Sequence, residues 1–195
     1  MMRCFVAVEL EHALRRPLTR LLREQLPRTR DVRWCTEQQL HVTLKFLGEV
    51  SDSQLSAVCD AVTAAADFVE PFSLRLTGLG CFPSPRNPRV LWCGVEDQAG
   101  GCARWVDLAD PLFEDLGFPR ETRQFHAHIT LGRSKSPAGS DVMRRVLEDV
   151  PSPATPAMTV EEVVLFESRL APGGAQYTPR FNARLGRQSA RGPAP

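Results

Sequence analysis

The sequence predicts a fold of the α+β or α/β class built from two lobes of similar plan. Three observations carry that expectation. Stretches with two-residue apolar alternation interleave with stretches of helical spacing along the whole chain. One short motif occurs twice, as His41-Val42-Thr43-Leu44 and His128-Ile129-Thr130-Leu131, nearly half the chain apart, which suggests two lobes of similar plan. The 195 residues, 43% hydrophobic and 24% charged, have the size and composition of one globular domain. Residues 1–185 are assigned to it, and 186–195, rich in Arg, Gly, Pro and Ser, to a flexible tail.

The elements follow in order. Cys4 to Leu10 alternates like a half-buried strand, with Cys4, Val6, Val8 and Leu10 on one side. Leu14, Leu18, Leu21, Leu22 and Leu26 recur at helical spacing, with Pro17 near the first turn. Asp31–Thr36 is a short strand and Leu40–Leu47 a stronger one. Ser51 or Ser53 can cap a helix whose buried face is Leu55, Val58, Val62, Ala66 and Val69. Phe72–Leu79 and Arg89–Val95 read as strands around a proline-rich loop, Phe82–Pro88, where the prolines forbid regular pairing. Gly101–Leu116 is helical, Phe125–Leu131 a strand, Asp141–Asp149 a helix, Val160–Arg169 a strand, and Tyr177–Leu185 closes the sheet.

Composition narrows the functional classes. Lys+Arg 24 against Asp+Glu 23 gives a net charge of +1, which argues against a protein lying along many nucleotides but leaves room for one or two phosphates. The apolar start is broken by Glu9, Glu11, Arg15 and Arg16, too early for a signal peptide, and no run approaches the roughly 20 apolar residues of a membrane span. The six cysteines show no C-x-x-C pair and no metal-ligand rhythm, so they are expected to be reduced, mostly buried thiols of a cytoplasmic protein.

The doubled motif carries the chemistry. On a strand, His41 and Thr43 share one face while Val42, Leu44 and Phe46 take the other; His128 and Thr130 stand likewise against Phe125, Ala127, Ile129 and Leu131. The apolar set fixes register against a core, so each imidazole and its threonine hydroxyl lie about 7 Å apart at Cα on the opposite face. If the lobes face each other, two His–Thr pairs meet across one cleft. Cleaving a phosphodiester in line needs a base on the incoming oxygen and an acid on the leaving oxygen. Histidine titrates near neutrality, so one copy can be neutral while the other is protonated. The threonine hydroxyls can donate to the non-bridging oxygens, and Arg133 can add positive charge.

These residues resemble a known family. His41-Val-Thr-Leu-Lys-Phe-Leu-Gly and Phe125-His-Ala-His-Ile-Thr-Leu-Gly-Arg133 look like the paired motifs of the two-histidine phosphoesterases, and more closely of the RNA 2′,3′-cyclic phosphodiesterases, historically called 2′-5′ RNA ligases. The likeness extends to Arg3-Cys-Phe-Val-Ala-Val, to Phe82-Pro with Pro88-Arg-Val-Leu-Trp92, and to Val163-Val-Leu-Phe-Glu-Ser168. It implies a bilobal α+β fold, two pseudo-symmetric lobes each with a mainly antiparallel sheet flanked by helices and a catalytic cleft between them, and no metal or other cofactor. The implied reaction hydrolyses RNA ending in a 2′,3′-cyclic phosphate to a 2′-phosphate. By motif position it makes His41 the proton donor and His128 the proton acceptor, with Thr43 and Thr130 on the phosphate. Ala127 stands where the family often has proline.

Other residues are weighed beside these. Lys45 has the parity of His41 and can reach RNA phosphate; Phe125 can stack on the terminal base, although its parity is that of the core set. His126 shares a face with His128, as a partner or rim residue rather than a metal ligand, and His12 is read as solvated. Arg86, Arg89 and Arg123 can touch the backbone upstream of the scissile group. The expected partner is a short stretch of RNA end, with no membrane and no obligatory protein partner, the chain being a monomer. Alternative readings are a phosphodiesterase for small cyclic nucleotides or 2′-5′-linked oligonucleotides, and an RNA-end-binding module without turnover.

Overall fold

A computed structural model describes residues 1–153, 157–172 and 174–186. Strand β1 (Met2–Glu9) leads into helix α1 (His12–Arg20), which continues into a π-turn at Leu21–Gln25. Short β2 (Val32–Trp34) and a single 3-10 turn (Glu37–Gln39) precede β3 (His41–Val50) and α2 (Leu55–Ala66). The second half runs β4 (Phe72–Phe82), β5 (Val90–Glu96), α3 (Gly101–Asp115), β6 (His128–Ser134), α4 (Pro137–Asp149), β7 (Met158–Val160), β8 (Glu162–Ala171) and β9 (Gly174–Arg184).

The sheet order is β7-β4-β5-β6-β3-β1-β8-β9, with β2 added on β6 and every pairing antiparallel. Its two halves, β7-β4-β5-β6 and β3-β1-β8-β9, meet through one residue pair, Val42↔Ile129. A pseudo-twofold through that pair matches β3 with β6, β1 with β5, and β8 with β4. β4 follows the helix of the first lobe but pairs with β5 of the second. β8 follows the last helix but returns to β1 of the first. Each lobe therefore completes the other's sheet.

The main core lies on the helix side of this curled sheet. Leu14 and Leu18 of α1, Val58 and Val62 of α2 and Trp105 and Phe113 of α3 pack on Val6, Val8, Val42, Leu91, Ile129 and Leu131 from the strands. A smaller cluster, Phe5, Ala7, Val164 and Phe166 with Tyr177 against it, lies on the other face of the first lobe. That division confirms the alternation expected for β1, since Phe5 and Ala7 fall opposite Val6 and Val8.

Several boundaries differ from the sequence expectation for identifiable reasons. α4 starts at Pro137 because Ser136 Oγ accepts the Gly139 N–H at 3.2 Å and Pro137 opens the helix. Pro17 lies deeper in α1 than the first turn. Ser51 Oγ accepts the Gln54 N–H at 3.3 Å, so it shapes the turn ahead of α2, whose N-cap is Gln54. Strand β6 begins at His128, and Phe125 and Ala127 pack against the core from the preceding loop. The proposed tail from residue 187 onward lies outside the described residues.

Candidate active site

The geometry follows from the single bridge between the lobes. Val42 and Ile129 are each 0% exposed, and their antiparallel pairing sets His41 opposite Thr130 and Thr43 opposite His128. Opposed residues in such a pair share a face and diagonal ones lie about 7–8 Å apart. The two imidazoles and two threonines thus form the corners of one small patch on the face away from the core, all four partly exposed.

Both rings are held in the same way. His41 Nδ1 lies 2.8 Å from the Gln39 carbonyl, and His128 Nδ1 lies 2.7 Å from the His126 carbonyl, in each case two residues back. A carbonyl only accepts, so Nδ1 carries the hydrogen and Nε2 is left as the lone-pair nitrogen. Aromatic walls surround each ring. Phe5 and Tyr177 sit 4.8 and 5.2 Å from the His41 centroid, and Phe82 sits 5.0 Å from that of His128. Trp92 and His126 complete the second wall, 5.0 Å apart.

These walls set the electrostatics. Burial pushes the His41 imidazole down to about 4, only partly offset by its bond to the Gln39 carbonyl, and the neighbouring His128 lowers it further. His128 is also lowered, first by burial and then by His126 and Arg133, against its bond to the His126 carbonyl. Near pH 7 the unliganded site therefore holds two neutral imidazoles, rather than the one neutral and one protonated ring that free histidine values suggest. An anion between them would restore the charged form of either.

A second symmetric feature corrects the strand parity. Against β1, Val6 pairs Lys45 and Ala7 pairs Thr43, leaving Leu44 as a bulge. Against β5, Leu91 pairs Gly132 and Trp92 pairs Thr130, leaving Leu131 as a bulge at the same motif position. Each bulge reverses the alternation beyond it. Lys45 therefore turns into the core at 5% exposure, where Nζ meets Asp110 Oδ1 at 2.6 Å and the Pro119 carbonyl at 2.8 Å. It is a buried ion pair, not an RNA contact. Phe46, assigned by parity to the core, is instead 64% exposed and lies 6.0 Å from Phe5. Conversely, Arg133 swings to the His128 face, where its charge acts on both His128 and Tyr177.

Phe125 is half-buried against the core, so the ring faces beside the histidines come from other residues. Tyr177, the only tyrosine in the chain, comes from β9, which no local pattern connects to His41. His12, Arg86, Arg89, Arg123 and His126 are exposed. All six cysteines are free, and burial raises the thiols, Cys4 and Cys35 to about 11 and Cys93 to about 12. None is poised as a nucleophile.

Comparison with known proteins fits this arrangement. The model of the LigT-like phosphoesterase family matches residues 8–92 and again 94–177, one stretch for each motif. This chain belongs to the LigT-like phosphoesterases. It is 33% identical over 178 residues to an RNA 2′,3′-cyclic phosphodiesterase of Methanothermobacter thermautotrophicus, covering 90% of this chain and 95% of that one. With the enzyme of the same name from Thermus thermophilus it shares 34% identity, over 98% and 96% of the two chains. Among solved structures, E. coli LigT complexed with 3′-AMP superposes with a TM-score of 0.77 at 27% identity, covering 94% of this chain and 98% of that one. In this LigT-like phosphoesterase no described helix is long and apolar enough to cross a membrane.

Proposed function

We propose that the protein hydrolyses RNA 2′,3′-cyclic phosphodiester ends to 2′-phosphomonoesters, using His41 as acid and His128 as base. The observation that carries this reading is the Val42↔Ile129 bridge, which puts two similarly tethered imidazoles at opposite corners of one patch. Relatives sharing about a third of the sequence over nearly their full length bear the name of this activity.

In this reaction a water molecule gives its proton to His128 Nε2 as its oxygen forms the new bond to phosphorus. The P–O3′ bond breaks on the far side, and the leaving 3′ oxygen takes the proton from His41 Nε2. The phosphate stays on the 2′ oxygen. Thr43 and Thr130 donate to the non-bridging oxygens, whose charge grows as the fifth bond forms. Because both rings are neutral without ligand, His41 takes up its proton as the anionic substrate binds. The enclosed ring gains most from that counter-charge, since low polarity strengthens the attraction. A reducing compartment such as the cytoplasm suits six free thiols, and a monomer suffices because both motifs lie in one chain.

The test is end-group analysis of an oligoribonucleotide carrying a 2′,3′-cyclic phosphate. Wild type should give a 2′-phosphate end, in chelator as in buffer. His41→Ala and His128→Ala should each lower kcat by roughly 10²–10⁴-fold while keeping the far-ultraviolet circular dichroism of wild type. A 3′-phosphate product, or undiminished turnover in either variant, would overturn the assignment.

A further inference from the structure

The side chain of Gln39 makes a connection that the proposed reaction does not use. Strands β8 and β9 pair as a long hairpin, but β1 accompanies β8 only from Val164 to Ser168. Beyond Ser168↔Tyr177, the pairs Arg169↔Gln176, Leu170↔Ala175 and Ala171↔Gly174 have no partner from β1, and Leu170 is 81% exposed. A two-stranded ribbon that runs past its sheet is marginal by itself and depends on side-chain ties to hold its place.

Such a tie comes from the 3-10 turn ahead of β3. Gln39 Nε2 donates to the Ala175 carbonyl at 2.6 Å. The amide is oriented for this bond: its Oε1 accepts the Thr36 N–H at 2.9 Å, which turns the NH2 group toward the hairpin. On the other side stands Gly174, whose φ of +122° favours glycine and where a Cβ would come 3.2 Å from Nε2. The close approach is thus built from both elements.

The backbone of the same residue holds the catalytic ring, since the Gln39 carbonyl accepts His41 Nδ1–H at 2.8 Å. Two positions past Ala175, Tyr177 lays its ring edge-on against His41, with centroids 5.2 Å apart and planes at 88°. Gln39 therefore touches the imidazole through its main chain and ties down the wall of that imidazole through its side chain. His128 has the matching carbonyl tether, but its wall residues Phe82 and Trp92 lie on β4 and β5, which pair with each other within the sheet.

We propose that Gln39 is a positioning residue for His41: its amide latches the β8–β9 hairpin so that Tyr177 closes over the imidazole whose tautomer the Gln39 carbonyl sets. This rests on the functional reading above, which makes that imidazole the acid. Release of the latch admits water to the ring, which favours its charged form, and loosens the alignment that proton transfer requires. The titratable neighbours of the ring are His128 on β6 and Tyr177 on β9; Glu9, in register with His41 on β1, is paired with Arg15 at 3.1 Å. An uncharged replacement of Gln39 adds no charge to that set, so a rise in the proton affinity of His41 reports lost enclosure.

The experiment is a nuclear magnetic resonance titration of His41 in the full chain without substrate. In parallel, kcat is measured on an oligoribonucleotide ending in a 2′,3′-cyclic phosphate. Wild-type His41 should titrate at about 4. Gln39→Met, similar in length but unable to donate, should raise that midpoint toward the ordinary histidine value of about 6.5. It should also lower kcat about tenfold, the scale of one hydrogen bond. Tyr177→Ala should shift the midpoint in the same direction, and adding Gln39→Met to it should change neither quantity further, because both act through one wall. Gln38→Met, exposed on the same turn, should leave both quantities as in wild type. A His41 midpoint unmoved by Gln39→Met, or additive effects in the double variant, would overturn the latch. If Gln39→Met does not fold, Gln39→Asn, an amide one carbon short of Ala175, decides by the same titration. If wild type cleaves no cyclic end, it is the functional reading that fails, and the substrate-free titration still decides the latch.

Discussion

At the scale of single residues, the site depends on two imidazoles that share a tether and differ in enclosure. The Gln39 and His126 carbonyls fix Nδ1–H, and the aromatic walls remove water, so both rings titrate below the ordinary histidine value. The sign of the consequence is definite. Between pH 6.5, the unfolded value, and about 4, where His41 protonates in the folded chain, the unfolded state binds more protons. The stabilisation from the neutral rings is therefore complete above pH 6.5 and is lost as pH falls toward 4. Urea midpoints should fall across that window in wild type and fall less steeply in His41→Ala. The same shifts predict that kcat/KM, which reports the free protein, peaks at lower pH than kcat, which reports the complex. Coincident optima would contradict proton uptake on binding. That His41, His128, Thr43 and Thr130 stand on the face away from the core was legible in the sequence, because repetition and parity converge on them. Tyr177 and Phe5 were not, since contacts between distant strands leave no local pattern.

At the scale of elements, strand alternation was a sound guide up to the leucine of each motif and failed just beyond it. The bulges at Leu44 and Leu131 are set by pairing with β1 and β5, which a linear reading does not contain. One buries Lys45 against Asp110; the other brings Arg133 to the cleft. Lys45→Met leaves the Asp110 carboxylate, 16% exposed, without its partner and should destabilise the fold by about 3–5 kcal/mol. Lys45→Met with Asp110→Leu should regain most of that loss in urea unfolding. KM for the RNA end should be unchanged in the double variant; a rise in KM would place Lys45 on the substrate after all. Element ends were less legible than the elements themselves: α4, expected from Asp141, starts at Pro137, because its apolar spacing becomes visible only a turn after the Ser136 cap.

At the scale of the whole molecule, the exchange of β4 and β8 between lobes ties the two motifs into one framework. Two lobes were foreseeable from the doubled motif, but this exchange was not, because it depends on which edges the strands after α2 and α4 find. Cutting the chain in the Phe82–Pro88 loop should give fragments that show no cooperative unfolding alone and regain it when mixed. Independent folding of either fragment would contradict the exchange.

The shared patch is tested most directly by nuclear magnetic resonance of both imidazoles during titration with a 2′-phosphorylated nucleotide. The account predicts a one-to-one complex in which the His41 and His128 Nε2 resonances move together and both titrate at higher pH than in the free protein. It further predicts that His128→Ala reduces the response of His41. A response confined to one ring, or two rings saturating at different ligand concentrations, would mean that the histidines do not flank a single phosphate.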